Sequence, residues 1–125
     1  MTQTKIITHW INGALDTGKT ERTSEVFNPA TGQVSANVAL ASVATVDKAV
    51  TAASDAFVSW RHSSLTKRTQ VLFAFRELVL QNKEKIAALI TAEHGKVLSD
   101  AAGEVTRGLE VVEFACGIPH LLKGG

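Results

Sequence analysis

The chain of 125 residues is poor in the residues that staple, kink or loosen a fold. Its one cysteine, Cys116, has no internal partner, which excludes a disulfide-stapled secreted module and fits a reducing compartment. Two prolines and nine glycines are too few for a collagen-like or Pro/Gly-rich disordered chain. The net charge is only +1, so the basic surplus that nucleic acid or an anionic membrane surface selects is missing. No apolar run approaches the roughly 18 residues of a membrane span. The stretch Met1 to Ile7 has neither a long apolar core nor an Arg-rich amphipathic character, so no export or organelle signal is read there. The expectation is a soluble cytoplasmic protein, with neither nucleic acid nor membrane as its partner. What is present is 45% hydrophobic and 20% charged, an ordinary globular composition with enough chain for one modest core.

The pattern changes near residue 43. Before it, the chain reads as strand and turn. Lys5 to Asn12 is rich in Ile, Thr and Trp, which suit a pleated surface, and Asn12-Gly13 is a turn signal. Ser24 to Asn28 is a second short strand. Pro29-Ala-Thr-Gly32 has turn chemistry. From Gln33 to Leu40 the residues alternate, with Val34, Ala36, Val38 and Leu40 on one face, the period of a half-buried strand. The spacing predicts a hairpin closed by residues 29–32.

After residue 43 the period becomes helical. With Thr45 as N-cap, Val46, Val50, Ala53, Phe57 and Trp60 fall on one stripe. Ser63, Ser64 and Thr66 offer caps for a longer helix. Its stripe runs through Val71, Leu72, Phe75, Leu78 and Val79, is interrupted at Asn82, and resumes with Ile86, Leu89 and Ile90. Gly95 is placed to stop it. Ser99-Asp100 opens a last helix with Val105, Leu109, Val112 and Cys116 one above another, and Gly117 and Pro119 break or kink it. Three helices with broad apolar faces and a small hairpin make an odd closed domain.

Residues 13–20, GALDTGKT, satisfy the phosphate-loop expression G-x-x-x-x-G-K-[ST]. A working phosphate loop sits between a strand and a helix whose N-terminus faces the phosphate. Here Glu21 to Pro29 carries no helical apolar stripe, so a turn between strands is the better reading. Gly103 and Gly108 lie inside the last helical pattern and do not make a dinucleotide fingerprint; close helix packing explains them. Cys116 lies on an apolar stripe and reads as a small core residue rather than a nucleophile. His9, His62, His94 and His120 are scattered, without the spacing of a zinc site. Arg107 is off the stripe, with Glu104 and Glu110 three residues to either side. It is either part of a solvated helix face with weak i,i+3 pairs or a fork aimed at a ligand carboxylate.

Four stretches, HWING (9–13), FNPATGQV (27–34), residues 45–60 with 67–79, and AEHGKV (92–97), stand in an order that resembles the N-terminal segment of the aldehyde dehydrogenase superfamily. Residues 100–124, with Arg107 in an E-V-x-R-G setting and V-E-F-A following, are similar to its CoA-acylating methylmalonate-semialdehyde dehydrogenases. The resemblance implies an α/β fold, the N-terminal part of a Rossmann-type NAD-binding domain: a small β hairpin region and three or four helices, without the central parallel sheet. Residues 1–125 would then be an incomplete portion of that domain.

The resemblance further implies NAD and coenzyme A as cofactors of the complete enzyme, and a small semialdehyde as substrate. The implied reaction is oxidative decarboxylation to propionyl-CoA or acetyl-CoA through a cysteine thioester. The parent would be a homo-oligomer, dimer or tetramer. Arg107 matches the family arginine that receives the substrate's carboxylate. No position here matches the family's nucleophilic cysteine, general-base glutamate or oxyanion-hole asparagine, so this chain alone is expected to be inactive and to bind no cofactor. The alternative is a stand-alone helical interaction module that associates with a full-length relative. The DNA after codon 125 separates the two: a frame continuing the family pattern marks a truncated or split gene.

Overall fold

The computed structural model describes residues 5–16, 18 and 20–122. The chain divides into two compact units, Met1–His62 and Ser63–Gly125. The architecture is mixed α/β, with two small sheets and five helices among the described residues.

The first unit contains β1 (Lys5–Ile7), β2 (Trp10–Ile11), β3 (Ala14–Leu15), β4 (Thr23–Phe27), β5 (Val34–Ala39) and α1 (Val43–Trp60). The single strand expected over residues 5–12 is two. Asn12 and Gly13 take φ of 53° and 77°, which a two-residue hairpin turn requires, and they fold β2 back on β3 with Trp10 opposite Leu15. The other sheet has the order β1-β5-β4. β1 runs parallel to β5, with Ile6 opposite Asn37, and β4 runs antiparallel to it, with Glu25 opposite Asn37.

The hairpin expected at residues 29–32 is present. Asn28 Oδ1 accepts from Ala30 N, Asn28 O accepts from Gly32 N, and Gly32 takes φ 69°. The expected one-sided burial of β5 is not observed. Ala36 and Ala39 are the buried residues, and three-residue spacing puts them on opposite faces. β5 is the middle strand and is covered in part on both sides.

α1 starts at Val43, earlier than expected. Ser42, not Thr45, is its cap: Ser42 Oγ accepts from Thr45 N at 3.2 Å. The helix turns Ala49, Ala52, Ala53 and Ala56 toward Trp10 and Ile11 of β2. Small side chains allow that close approach. Val46, Val50, Phe57 and Trp60, expected to pack, are exposed.

The second unit is helical: α2 (Leu65–Gln81), α3 (Lys83–His94), α4 (Leu98–Cys116) and the short α5 (Ile118–Leu121). Ser64 caps α2 by accepting from Lys67 N at 3.2 Å. The long helix expected up to Gly95 is two helices. Asn82 leaves helical geometry (φ −105°, ψ 12°) and its Nδ2 donates to Leu78 O at 2.8 Å; its own carbonyl starts α3 by accepting from Ile86 N. Gly95 ends α3 in the left-handed region at φ 84°, donating to Thr91 O at 2.8 Å. α4 begins at Leu98, one residue before the expected opening.

The core of this unit is Ala87, Ala101 and Val105, flanked by Val79, Ile86, Ile90 and Ala102. Leu109 and Cys116 continue the buried stripe of α4, as its periodicity predicts. Close packing at Gly103 and Gly108 is not observed. A β-carbon at Gly103 would meet only the Arg107 guanidinium at 3.9 Å, and one at Gly108 nothing within 4 Å. Among the described residues, no large side chain is fully buried. None of the described helices is long and apolar enough to cross a membrane.

Candidate functional site

Arg107 projects from the middle of α4 with 69% of its side chain exposed. Its described ion-pair partner is Glu104, with Nη2 to Oε1 at 4.0 Å, one helical turn back; no ion pair to Glu110 is found among the described residues. Glu104 is also held from outside its helix. Gly95 turns the chain between α3 and α4, and the next residue, Lys96, places Nζ on Glu104 Oε1. The Lys96 hydrogen bond, and then the Lys96, Arg107 and His94 charges, keep the Glu104 carboxyl below the usual glutamate range despite partial burial. Beside this cluster, Lys83 Nζ donates to Thr106 Oγ1 at 2.7 Å.

The pairing of Glu104 with Lys96 was not legible in the sequence. The two residues lie eight apart across a turn, so no helical or strand period relates them. The signal available was Gly95 itself: a left-handed stop reverses the chain and brings the next residue onto the helix that follows.

The GALDTGKT stretch does not build a phosphate loop. Gly13 forms the β2–β3 turn, and β3 and β4 follow where a helix is needed. Gly18 N donates to Asp16 Oδ1 at 3.1 Å, so this loop amide already serves a carboxylate of the protein. Lys48 on α1 pairs with the same oxygen at 3.2 Å. The Gly18 N–H, followed by the Lys48 ammonium, lowers the Asp16 carboxyl below the usual aspartate range. The hollow lined by His9, Asp16, Gly18, Thr20, Arg22 and Ser42 holds about 90 Å³, far short of the roughly 300 Å³ at which ligand pockets begin. Lys19 lies outside the described residues.

Cys116 is buried as the sequence predicts. It forms the floor of an open hollow with Phe73, Arg76, Glu77 and Glu113. Arg76 closes one side, donating from Nε and Nη2 to Glu113 Oε1 at 2.9 and 2.7 Å. No cluster of three or more His, Cys, Asp or Glu suited to a metal ion is found among the described residues.

The aldehyde dehydrogenase family profile matches residues 16–125. The chain belongs to the aldehyde dehydrogenase family. It is 49% identical to the malonate-semialdehyde dehydrogenase of Pseudomonas aeruginosa over 118 residues, 93% of this chain and 23% of that protein. The crystal structure of methylmalonate-semialdehyde dehydrogenase from Oceanimonas doudoroffii superposes with a TM-score of 0.91 at 49% identity, over 98% of this chain and 25% of that one. A homologue from Sinorhizobium meliloti 1021, solved in complex with NAD, gives a TM-score of 0.90 at 40% identity, over 97% of this chain and 25% of that one. This aldehyde dehydrogenase segment thus spans about a quarter of the length of the relatives it matches, and its fold matches their N-terminal part.

Gly103 and Gly108 both lie within α4 and not in a turn from a strand into a helix, so they do not form the glycine-rich dinucleotide fingerprint. No cofactor step is assigned to residues of this chain.

Proposed function

We propose that this chain is the N-terminal portion of an NAD-dependent, CoA-acylating malonate- or methylmalonate-semialdehyde dehydrogenase, and that residues 1–125 form an incomplete part of its NAD-binding domain. The whole protein would oxidise and decarboxylate the semialdehyde to acetyl-CoA or propionyl-CoA, as a cytoplasmic dimer or tetramer. Arg107 would receive the substrate's carboxylate. By itself the chain would neither catalyse the reaction nor bind NAD or coenzyme A.

The observation that carries this reading is the state of Arg107. It is a guanidinium in a segment closely similar to semialdehyde dehydrogenases, and its one described ionic neighbour lies beyond hydrogen-bond reach. Its fork can take a carboxylate on two N–H groups, a geometry that lysine's point charge lacks. The carboxylate is what distinguishes such a semialdehyde from propanal. A helical module acting on its own through association with a relative is the second reading. The exposed apolar side chains of α1, Val46, Val50 and Phe57 among them, favour association of some kind.

The experiment fuses this chain to the remaining three quarters of the Pseudomonas aeruginosa relative and compares substrates. In Arg107→Ala the ratio of kcat/KM for malonate semialdehyde to that for propanal should collapse. Loss of the pair would cost about 2–5 kcal/mol if the complete enzyme desolvates it, against less than about 1 kcal/mol for a guanidinium as exposed as Arg107 is in this chain. Arg107→Lys should recover part of it. An unchanged ratio returns Arg107 to the solvated surface of α4.

A further inference from the structure

Gly103 stands in the interior of α4, where glycine is the poorest helix former apart from proline. A glycine is ordinarily kept for a positive φ or for the close approach of another backbone. Gly103 has no positive φ, and among the described residues no other element comes within 4 Å of the place its β-carbon would take. What does lie there is the guanidinium of Arg107, with Nη1 at 3.9 Å. The helix itself sets this contact. Residues four apart share one face, and a long side chain leans back toward the helix N-terminus over the turn before its own Cα. Arg107 thus lies back over Gly103, while its Nη2 faces the adjacent Glu104.

We infer that Gly103 is a positioning residue for carboxylate recognition: its bare backbone is the floor beneath the Arg107 fork, and a bulky side chain there would displace the fork from the substrate's carboxylate. The inference rests on the reading of Arg107 given above and names a second determinant of the same specificity, one that touches no substrate. A β-carbon at 3.9 Å makes an ordinary contact, so alanine leaves the fork in place. Isoleucine adds two γ-carbons at once, and these fill the space beneath the guanidinium. Both replacements are better helix formers than glycine, so helix stability and carboxylate selectivity should part company.

The test uses the fused enzyme and the ratio of kcat/KM for malonate semialdehyde to that for propanal. Gly103→Ala should keep most of the wild-type ratio. Gly103→Ile should lower it about tenfold or more, since misplacing a positioned group costs up to about a hundredfold, and the loss should fall on the KM for the carboxylated substrate. Neither variant should melt below the wild type. In an Arg107→Ala background, Gly103→Ile should lower the ratio no further, because the fork it displaces is gone. A merely structural glycine behaves differently: its replacement slows both substrates alike, whatever stands at 107. An unchanged ratio in Gly103→Ile, a loss as large in Gly103→Ala, or a further loss in the double variant overturns the inference. So does a Gly103→Ala or Gly103→Ile fusion that fails to fold, since the inference sets only a movable guanidinium over Gly103. If Arg107→Ala is selective while Gly103→Ile is not, the role of Gly103 alone falls. If Arg107→Ala leaves the substrate ratio unchanged, the parent reading falls and takes Gly103 with it.

Discussion

Ala87 on α3 and Ala101 on α4 are exposed by only 1% and 0% and share one cluster with Val105. Two methyl groups at the crossing let the helices approach closely, and that approach carries Lys96 and Glu104 toward each other. A larger side chain has no space to enter. Ala101→Leu should destabilise the α3–α4 pair by about 1–3 kcal/mol, and Val105→Ala by a similar amount through the cavity it leaves. Amide hydrogen exchange of α4 in the fused enzyme reads both; protection equal to wild type in Ala101→Leu contradicts the packing described.

Asp16 and Glu104 give the pH dependence its sign. Both carboxyls are lowered in the folded chain, Asp16 by the Gly18 N–H and Lys48, Glu104 by Lys96. The unfolded chain therefore binds more protons than the folded one in the acid range, and stability rises with pH there. The contribution is complete above the ordinary carboxylate pKa and is lost as pH falls through the lowered values. Carbon-detected NMR should show Asp16 titrating below the usual aspartate range and Glu104 below the usual glutamate range. Titration of both within those ordinary ranges contradicts the two ion pairs.

GALDTGKT should not bind nucleotide. The Asp16 carboxylate puts negative charge in this stretch and takes the Gly18 amide. Calorimetry with magnesium ATP or GTP should give no heat, and Lys19→Ala should change nothing. Micromolar binding abolished by Lys19→Ala contradicts this.

Isolated from any partner, the 125-residue chain should self-associate. Trp10, Val50, Phe57, Phe73, Phe75 and Phe114 all lie exposed, and uncovered apolar surface drives association. Light scattering and a hydrophobic dye should report it. A clean monomer with a sharp cooperative melt would instead favour the autonomous module.

Local signals were legible where one residue type has one conformational use. The turn ending at Gly32 and the Gly95 stop stand as the sequence predicts, Ser64 is the one of three offered caps that is used, and Val105, Leu109 and Cys116 are buried as expected while Val112 is half-buried. What failed was the choice between faces. Periodicity tells which residues of α1 lie together, but not which face finds cover. Ala49, Ala52, Ala53 and Ala56 of α1 face Trp10 and Ile11 of β2, while the larger Val46/Val50/Phe57 stripe is exposed. Asn82 read as an interruption and proved a boundary, since its side chain competes for a backbone carbonyl. At the candidate site Arg107 and its acidic neighbour were visible through helical spacing. Lys96 was not, because its contact depends on the reversal at Gly95.

The central claim is that this chain supplies one part of a semialdehyde dehydrogenase and is inert without the rest. The most direct measurement follows NADH formation from malonate semialdehyde, NAD and coenzyme A. The purified chain alone should give none, and the same chain fused to the remaining three quarters of the Pseudomonas aeruginosa relative should give acetyl-CoA with NADH. Turnover by the chain alone, or a folded fusion that oxidises no semialdehyde, would contradict the account.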